Sequence, residues 1–226
     1  NTIEYPGSIK SDDVIITPNF EADPDTYDNL LKEMKELQNS GIEGSEYIPW
    51  QEGVHLIIKH PERSPTFQSI IKHMCDYYDV NPESIAVRYN LYKDDIDFKC
   101  LHHDSAAFNK QRAKNQNITL GLSLGRTREL VFKHAKNGNL IYMPMPSGSL
   151  YAFSKAVNIR WMHGINAIPK EEQKNEGRIS IIVWGWTKKL IDEPNEPDIL
   201  EDNDRRRVSN THQVCRDFQK KGSCKY

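Results

Sequence analysis

From residue 84 onward apolar and polar positions alternate with a period of two. Val87, Tyr89 and Leu91 alternate with Arg88, Asn90 and Tyr92; Ile118, Leu120, Leu122 and Leu124 alternate with Thr119, Gly121 and Ser123. Residues i and i+2 of a strand share a face, so each run predicts a strand with one apolar side. The segments 129–134, 139–143, 148–153, 159–164 and 178–186 continue the series, with Gly, Pro and Asn between them. Many short strands of this kind predict a β-sandwich or jelly roll.

Ahead of residue 84 the period is helical. Asp23 can cap a first helix with Pro24 in its first turn. Tyr27, Leu30, Leu31, Met34 and Leu37 then recur at helical spacing, and Gly41 offers a stop. Ser64–Pro65 opens a second helix, striped by Phe67, Ile70, Ile71, Met74, Cys75 and Tyr78. Cys75 is expected there as a buried small hydrophobe. Both helices are expected to pack on one sheet. After Trp186 the chain turns charged and proline-bearing, which predicts a linker. The expected organisation is an N-terminal helical and substrate-recognition segment (1–83), a β core (84–187), a charged linker (188–214) and a cysteine-bearing end (215–226).

A chain of 226 residues suits one domain with an appendage. Hydrophobic residues make up 37% and charged residues 27%, the balance of a globular domain with a polar surface. The formal net charge of -2 gives no global basic field, although it would average away a local basic patch. No apolar run approaches the length that spans a membrane, so no membrane partner is expected. Cys75, Cys100, Cys215 and Cys224 are too few for a disulfide framework. A monomer in a reducing compartment, nuclear or cytoplasmic, is expected.

The candidate chemistry starts at residues 101–108, LHHDSAAF. On an extended strand His102 and Asp104 present an imidazole and a carboxylate to one point, while His103 faces away. Such pairs occur by chance in many proteins, and one alone is more often a polar turn than a metal site. A non-haem Fe(II) site needs a second imidazole and an open face, and His163 ends a later predicted strand. Arg178 opens the strand after that and can clamp a dicarboxylate fork to fork. Asn90 and Tyr92 share a face of the strand before His102. The whole order is more specific than any of its parts.

The stretches RYNLYKDDIDFKCLHHD (88–104), ITLGLSLGRTRELVFKH (118–134), GSLYAFSKAVNIRWMHGI (148–165) and GRISIIVWGW (177–186) resemble successive motifs of the AlkB family, the Fe(II)- and 2-oxoglutarate-dependent dioxygenases that act on nucleic acids. The resemblance implies a mostly β fold with flanking helices around a double-stranded β-helix (jelly-roll) core. It implies iron held by His102, Asp104 and His163, and 2-oxoglutarate held by Asn90, Tyr92 and Arg178. It further implies oxidative demethylation of a methylated base, with the methyl carbon leaving as formaldehyde. Two features depart from the repair members of the family. Trp184 stands where a second arginine is usual, and Ser180 where asparagine is frequent. Ser105, Ala106, Ala107 and Phe108 stand where acidic base-contacting residues usually follow His-x-Asp.

The stretch 46–63 falls where the family places a substrate-recognition hairpin. Its Trp50 is either a platform for a flipped base or a core aromatic. Arg126 and Arg128 are candidates to line the cleft or meet phosphate. Lys110, Arg112 and Lys114 read as a solvated basic face. At the end of the chain CRDFQKKGSC resembles the start of a CCCH zinc finger, with Cys215 and Cys224 as two of the four ligands zinc requires. Zinc is therefore expected only if the finger is complete. The finger makes RNA the favoured partner over DNA. A non-catalytic nucleic-acid reader and a protein hydroxylase remain rival readings.

Overall fold

The computed structural model describes residues 7–43, 47–50, 53–56, 61–191 and 199–200. The elements in chain order are β1 (Ile9–Lys10), β2 (Val14–Thr17), α1 (Thr26–Asn39), β3 (Tyr47–Trp50), β4 (Gly53–Leu56), α2 (Pro65–Tyr78), β5 (Ala86–Tyr92), β6 (Lys99–His102), α3 (Lys110–Asn115), β7 (Ile118–Gly125), β8 (Arg128–His134), β9 (Leu140–Met145), β10 (Ser149–Ser154), α4 (Lys155–Arg160), β11 (Trp161–Ile165), β12 (Arg178–Gly185) and β13 (Leu190–Ile191). A seven-stranded sheet runs in the order β2-β10-β7-β12-β5-β4-β3, and a four-stranded sheet in the order β6-β11-β8-β9. Non-sequential neighbours in both sheets give the predicted jelly-roll weave.

The period-two pattern decides what each sheet face does. Leu120, Leu122 and Leu124 of β7 and Ile179, Ile181 and Val183 of β12 point one way, into a core shared with Leu30, Met34, Phe67, Ile70 and Met74 of the two helices. Both helices thus pack on one sheet, as expected. The opposite face of the same strands, with Ser180, Ile182 and Trp184 on β12, turns toward the second sheet and borders a cavity. Phe132, Phe153, Val157 and Ile165 form a smaller cluster between the sheets.

Helix α2 begins as predicted. Pro65 takes the first turn, and the Ser64 hydroxyl accepts the Phe67 N–H at 3.3 Å. Helix α1 begins two residues later than its expected cap. Asp25 occupies the cap position, and the Asp23 carboxylate instead accepts the Asp25 N–H at 3.0 Å, tying the turn before the helix. The first 83 residues also contribute β2, β3 and β4 to the seven-stranded sheet, although only helices and a hairpin were expected there. Helix α4 was not anticipated, because its residues Val157 and Ile159 match a strand pattern. Cys75 is buried and free, and burial pushes its thiol up to about 11. No helix among the described residues is long and apolar enough to cross a membrane.

Candidate metal centre

Strands β6 and β11 are antiparallel neighbours whose register sets His102 opposite His163. Gly164 permits this approach, since a Cβ there would lie 2.5 Å from the Lys99 carbonyl oxygen on β6. The two imidazole centroids stand 4.5 Å apart. Asp104 is not on the strand, contrary to the sequence expectation. β6 ends at His102, and Asp104 is an extended residue (φ -65, ψ 152) that caps the 3-10 turn Ser105–Ala107. Because the backbone stays extended through Asp104, the i, i+2 logic still holds. The Asp104 carboxylate oxygens lie 3.9 Å from His102 Nε2 and 3.7 Å from His163 Nε2. One ligand atom from each of the three residues falls within 4.8 Å of the others.

The surroundings suit these groups to a metal. His102 Nδ1 lies 2.9 Å from the Cys100 carbonyl oxygen, so it donates its proton there and leaves the Nε2 lone pair available. Burial pushes the His163 imidazole down to about 3, and His102 is lowered for the same reason, with Asp104 opposing in both cases. Both rings are therefore neutral, the form that ligates. Burial opposes ionisation of Asp104, but either imidazole when it carries a proton, and a 3.1 Å hydrogen bond from the Thr119 hydroxyl, favour the carboxylate and leave it below its usual range. Two neutral imidazoles and one carboxylate form the donor set of a non-haem Fe(II) site, so these residues fit iron.

A residue missed in the sequence holds this arrangement. Asn158 on α4 is almost wholly buried. Its side-chain oxygen accepts the Asp104 N–H at 2.8 Å, and its amide donates to the Asp104 carbonyl at 3.1 Å. Its own backbone carbonyl lies 2.5 Å from His103 Nδ1. His103, the expected spacer, thus bonds to α4 and is not part of the ligand group. Only the serine at 154, which caps α4 by accepting the Val157 N–H at 3.1 Å, hinted at this helix.

The expected cosubstrate residues come together on the sheet that faces the metal. Asn90 and Tyr92 border a cavity of about 400 Å³ that also contains His102, Asp104 and His163. Arg178 pairs with Tyr92 across β12 and β5, and its guanidinium lies 5.0 Å from the Tyr92 ring centroid. It is fully buried, and its Nε donates to the Ser123 hydroxyl at 2.9 Å. Both of its Nη atoms are buried without a hydrogen-bond partner. Arg178 does not itself border the cavity, but an unsatisfied buried fork of this kind is costly unless an anion completes it, and its chemistry suits a carboxylate such as the far one of 2-oxoglutarate. Gly121 makes room for Tyr151, another residue of the cavity wall, because a Cβ there would fall 2.1 Å from its ring.

The other candidates lie elsewhere. Arg128 is buried, and all three of its guanidinium nitrogens donate to backbone carbonyls of Asp94, Asp97 and Asn166. Arg126 faces Asp95 at 3.4 Å and Glu176 at 3.1 Å. Neither arginine borders the cavity. Trp50 ends β3, the edge strand of the larger sheet, paired with Gly53 of β4; its side chain lies outside the described features. Cys215 and Cys224 lie outside the described residues. Three cations that sequence reasoning gave no role, Arg88, Lys99 and Arg112, border the cavity, where Asp104 is the sole carboxylate. Arg88 was within reach of the pattern, because it shares the strand face of Asn90 and Tyr92.

No protein-family model matches the chain, and no curated protein matches it. Solved structures do. A prolyl hydroxylase from Trichoplax adhaerens, in complex with a hypoxia-inducible-factor oxygen-degradation-domain peptide, superposes with a TM-score of 0.53 at 15% identity, covering 78% of this chain and 84% of that one. A Pseudomonas putida prolyl-4-hydroxylase superposes with a TM-score of 0.54 at 14% identity, covering 79% of this chain and 94% of that one. The chain has the double-stranded β-helix fold of Fe(II)- and 2-oxoglutarate-dependent dioxygenases. On that fold it carries a candidate His-Asp-His iron site.

Proposed function

We propose that this chain is an AlkB-like Fe(II)- and 2-oxoglutarate-dependent dioxygenase that demethylates a methylated base in nucleic acid, with RNA favoured over DNA. The observation that carries the dioxygenase reading is the unpartnered Arg178 fork on the sheet that faces two neutral imidazoles and a carboxylate. The motif order 88–104, 118–134, 148–165 and 177–186 supports the AlkB branch. A cavity bordered by Arg88, Lys99 and Arg112 favours a polyanion over a peptide. In this reading the segment 1–83 supplies substrate recognition, with Trp50 on its β3–β4 hairpin. The core is 84–187, and a charged linker (188–214) leads to an RNA-binding end that bears Cys215 and Cys224. The protein is a nuclear or cytoplasmic monomer.

The roles follow from the geometry. His102, Asp104 and His163 hold the metal from one side, and Thr119 and Asn158 fix the carboxylate and its backbone. Arg178, Tyr92 and Asn90 orient 2-oxoglutarate. When bound, iron and 2-oxoglutarate would supply, with O2, the oxidation: one atom of O2 would enter succinate as CO2 is lost from 2-oxoglutarate, and the other would convert the N-methyl group to a hydroxymethyl group that would leave as formaldehyde, restoring the base N–H.

A second reading, a protein hydroxylase, is favoured by the two prolyl hydroxylases that share the fold. One assay separates them: succinate formation under Fe(II) and oxygen with methylated RNA, methylated DNA, a proline-containing peptide and no polymer. Methylated RNA should stimulate turnover most, with formaldehyde released in equal amount and all turnover lost in His102→Ala. Stimulation by peptide alone would overturn the nucleic-acid reading. Bound iron without turnover on any polymer would point to a reader.

A further inference from the structure

Arg88 stands on β5 two residues before Asn90, and so on the same cavity-facing side. Its guanidinium lies 5.6 Å over the Trp184 ring on the adjacent strand, a contact that holds a cation in place without neutralising it. Its Nε is buried and has no hydrogen-bond partner. Arg112 reaches the same cavity from α3. Burial lowers the Arg88 guanidinium, Asp104 counters this, and the Arg112 charge lowers it again, so the two arginines repel each other across the cavity. Neither forms an ion pair among the described residues, and the sole carboxylate of the wall, Asp104, belongs to the metal triad. With iron and 2-oxoglutarate bound, their charges and those of Asp104 and Arg178 cancel. Arg88, half-buried on the wall, and Arg112, exposed at the cavity's edge, then remain without a carboxylate partner, with Lys99 as a third cation of the same wall.

We propose that Arg88 and Arg112 form an oxyanion site that takes a phosphate of the substrate, with Trp184 as the plate on which Arg88 rests. The proposal rests on the nucleic-acid reading above and deepens it, placing one backbone phosphate inside the cavity beside the metal. Each guanidinium offers a planar fork to phosphate oxygens. Phosphate between the two arginines turns their repulsion into attraction.

The test uses the full chain loaded with Mn(II) and saturated with 2-oxoglutarate under nitrogen, so that the Arg178 fork is filled and no turnover occurs. Binding of a short methylated RNA oligonucleotide is measured across a salt series for the wild type, Arg88→Met, Arg88→Lys and Arg112→Met. Each Met variant should weaken binding about tenfold to a hundredfold, the loss of a charge-assisted contact. The slope of log affinity against log salt should fall by about one. Arg88→Lys should recover part of both. The dissociation constant for 2-oxoglutarate, read separately by calorimetry, should stay within about twofold, as expected of a residue that does not touch the cosubstrate. Unchanged RNA affinity and slope in Arg88→Met would overturn the proposal, as would a parallel loss of 2-oxoglutarate affinity. Inorganic phosphate, titrated into the same proteins, reads the site without assuming the polymer. Saturable phosphate binding lost in Arg88→Met supports the site even if RNA fails to bind, and that failure would then belong to the functional reading. No phosphate binding by the wild type would overturn the site itself.

Discussion

Two buried arginines show how a residue's surroundings separate structure from function. Arg128 and Arg178 are both almost inaccessible, and both guanidinium groups lie within 6 Å of the Tyr92 ring centroid. The nitrogens of Arg128 all meet backbone carbonyls, whereas the two Nη atoms of Arg178 are buried beside Tyr92 with no carbonyl or carboxylate to receive them. A satisfied buried cation knits loops together; an unsatisfied one destabilises the free protein and waits for an anion. Opposite outcomes are expected on substitution. Arg178→Met should raise the KM for 2-oxoglutarate by about ten- to a hundredfold, the loss of charge-assisted hydrogen bonds worth ~1.5–3 kcal/mol. The melting temperature of its ligand-free form should hold or rise. Arg128→Met should lower the melting temperature, because it strands three buried carbonyls, and leave the 2-oxoglutarate KM nearly unchanged. Steady-state kinetics and calorimetric melting distinguish the two; a melting temperature that falls in Arg178→Met would assign it a structural role. The sequence could not tell them apart, because a strand pattern records that a position faces inward and not what waits there.

At the scale of elements, the candidate iron site was legible where its residues sit on strands and obscure where a helix supports them. The alternation in 86–92, 118–125 and 178–185 fixed the faces of β5, β7 and β12, and so put Asn90, Tyr92 and Arg178 on the metal's side. His163 was readable because β11 is a strand and Gly164 follows it. Helix α4 was hidden by its β-branched residues, and with it went Asn158, whose amide brackets both backbone groups of Asp104. The two-sided grip depends on one helical turn placed between β10 and β11, a tertiary fact that local propensity does not carry. The ion pairs of Arg126, offered as a cleft or phosphate residue, were hidden for the same reason: its carboxylate partners Asp95 and Glu176 lie 31 and 50 residues away in sequence. Asn158→Ala should weaken Co(II) or Fe(II) binding by about 10- to 100-fold, the usual cost of removing a group that orients a metal ligand. The Co(II) visible spectrum should change with it, reporting a displaced carboxylate. Asn158→Asp keeps the acceptor for the Asp104 N–H but loses the donor, and should fall between the two. An unaltered spectrum at unaltered affinity would show that Asn158 supports only the fold.

For the whole molecule, the two ligands of the proposed reading would join two sheets. His102 and His163 belong to the four-stranded sheet through β6 and β11, while Asn90, Tyr92 and Arg178 belong to the seven-stranded sheet through β5 and β12. Asp104 leans toward the larger sheet through its hydrogen bond to Thr119 on β7. Metal alone therefore ties mainly the smaller sheet to the Asp104 turn, and 2-oxoglutarate alone lacks its metal anchor. Together they would bridge the sandwich, from the His pair to the Arg178 fork, and remove the cost of that unpaired cation. Binding to the folded state alone adds about 2.7 kcal/mol at a ligand concentration a hundred times its dissociation constant. For a chain of this size each kcal/mol raises the melting temperature by about 2–4 °C. Mn(II) with 2-oxoglutarate should thus raise it by at least about 5 °C, and by more than the sum of the two added singly, because each ligand organises the other's site. Differential scanning calorimetry under nitrogen gives all four conditions. In Arg178→Met the excess over additivity should vanish while the Mn(II) shift persists, since the metal ligands are untouched. A purely additive shift in the wild type would mean that the two sites do not communicate, and that Arg178 does not meet the molecule that iron chelates.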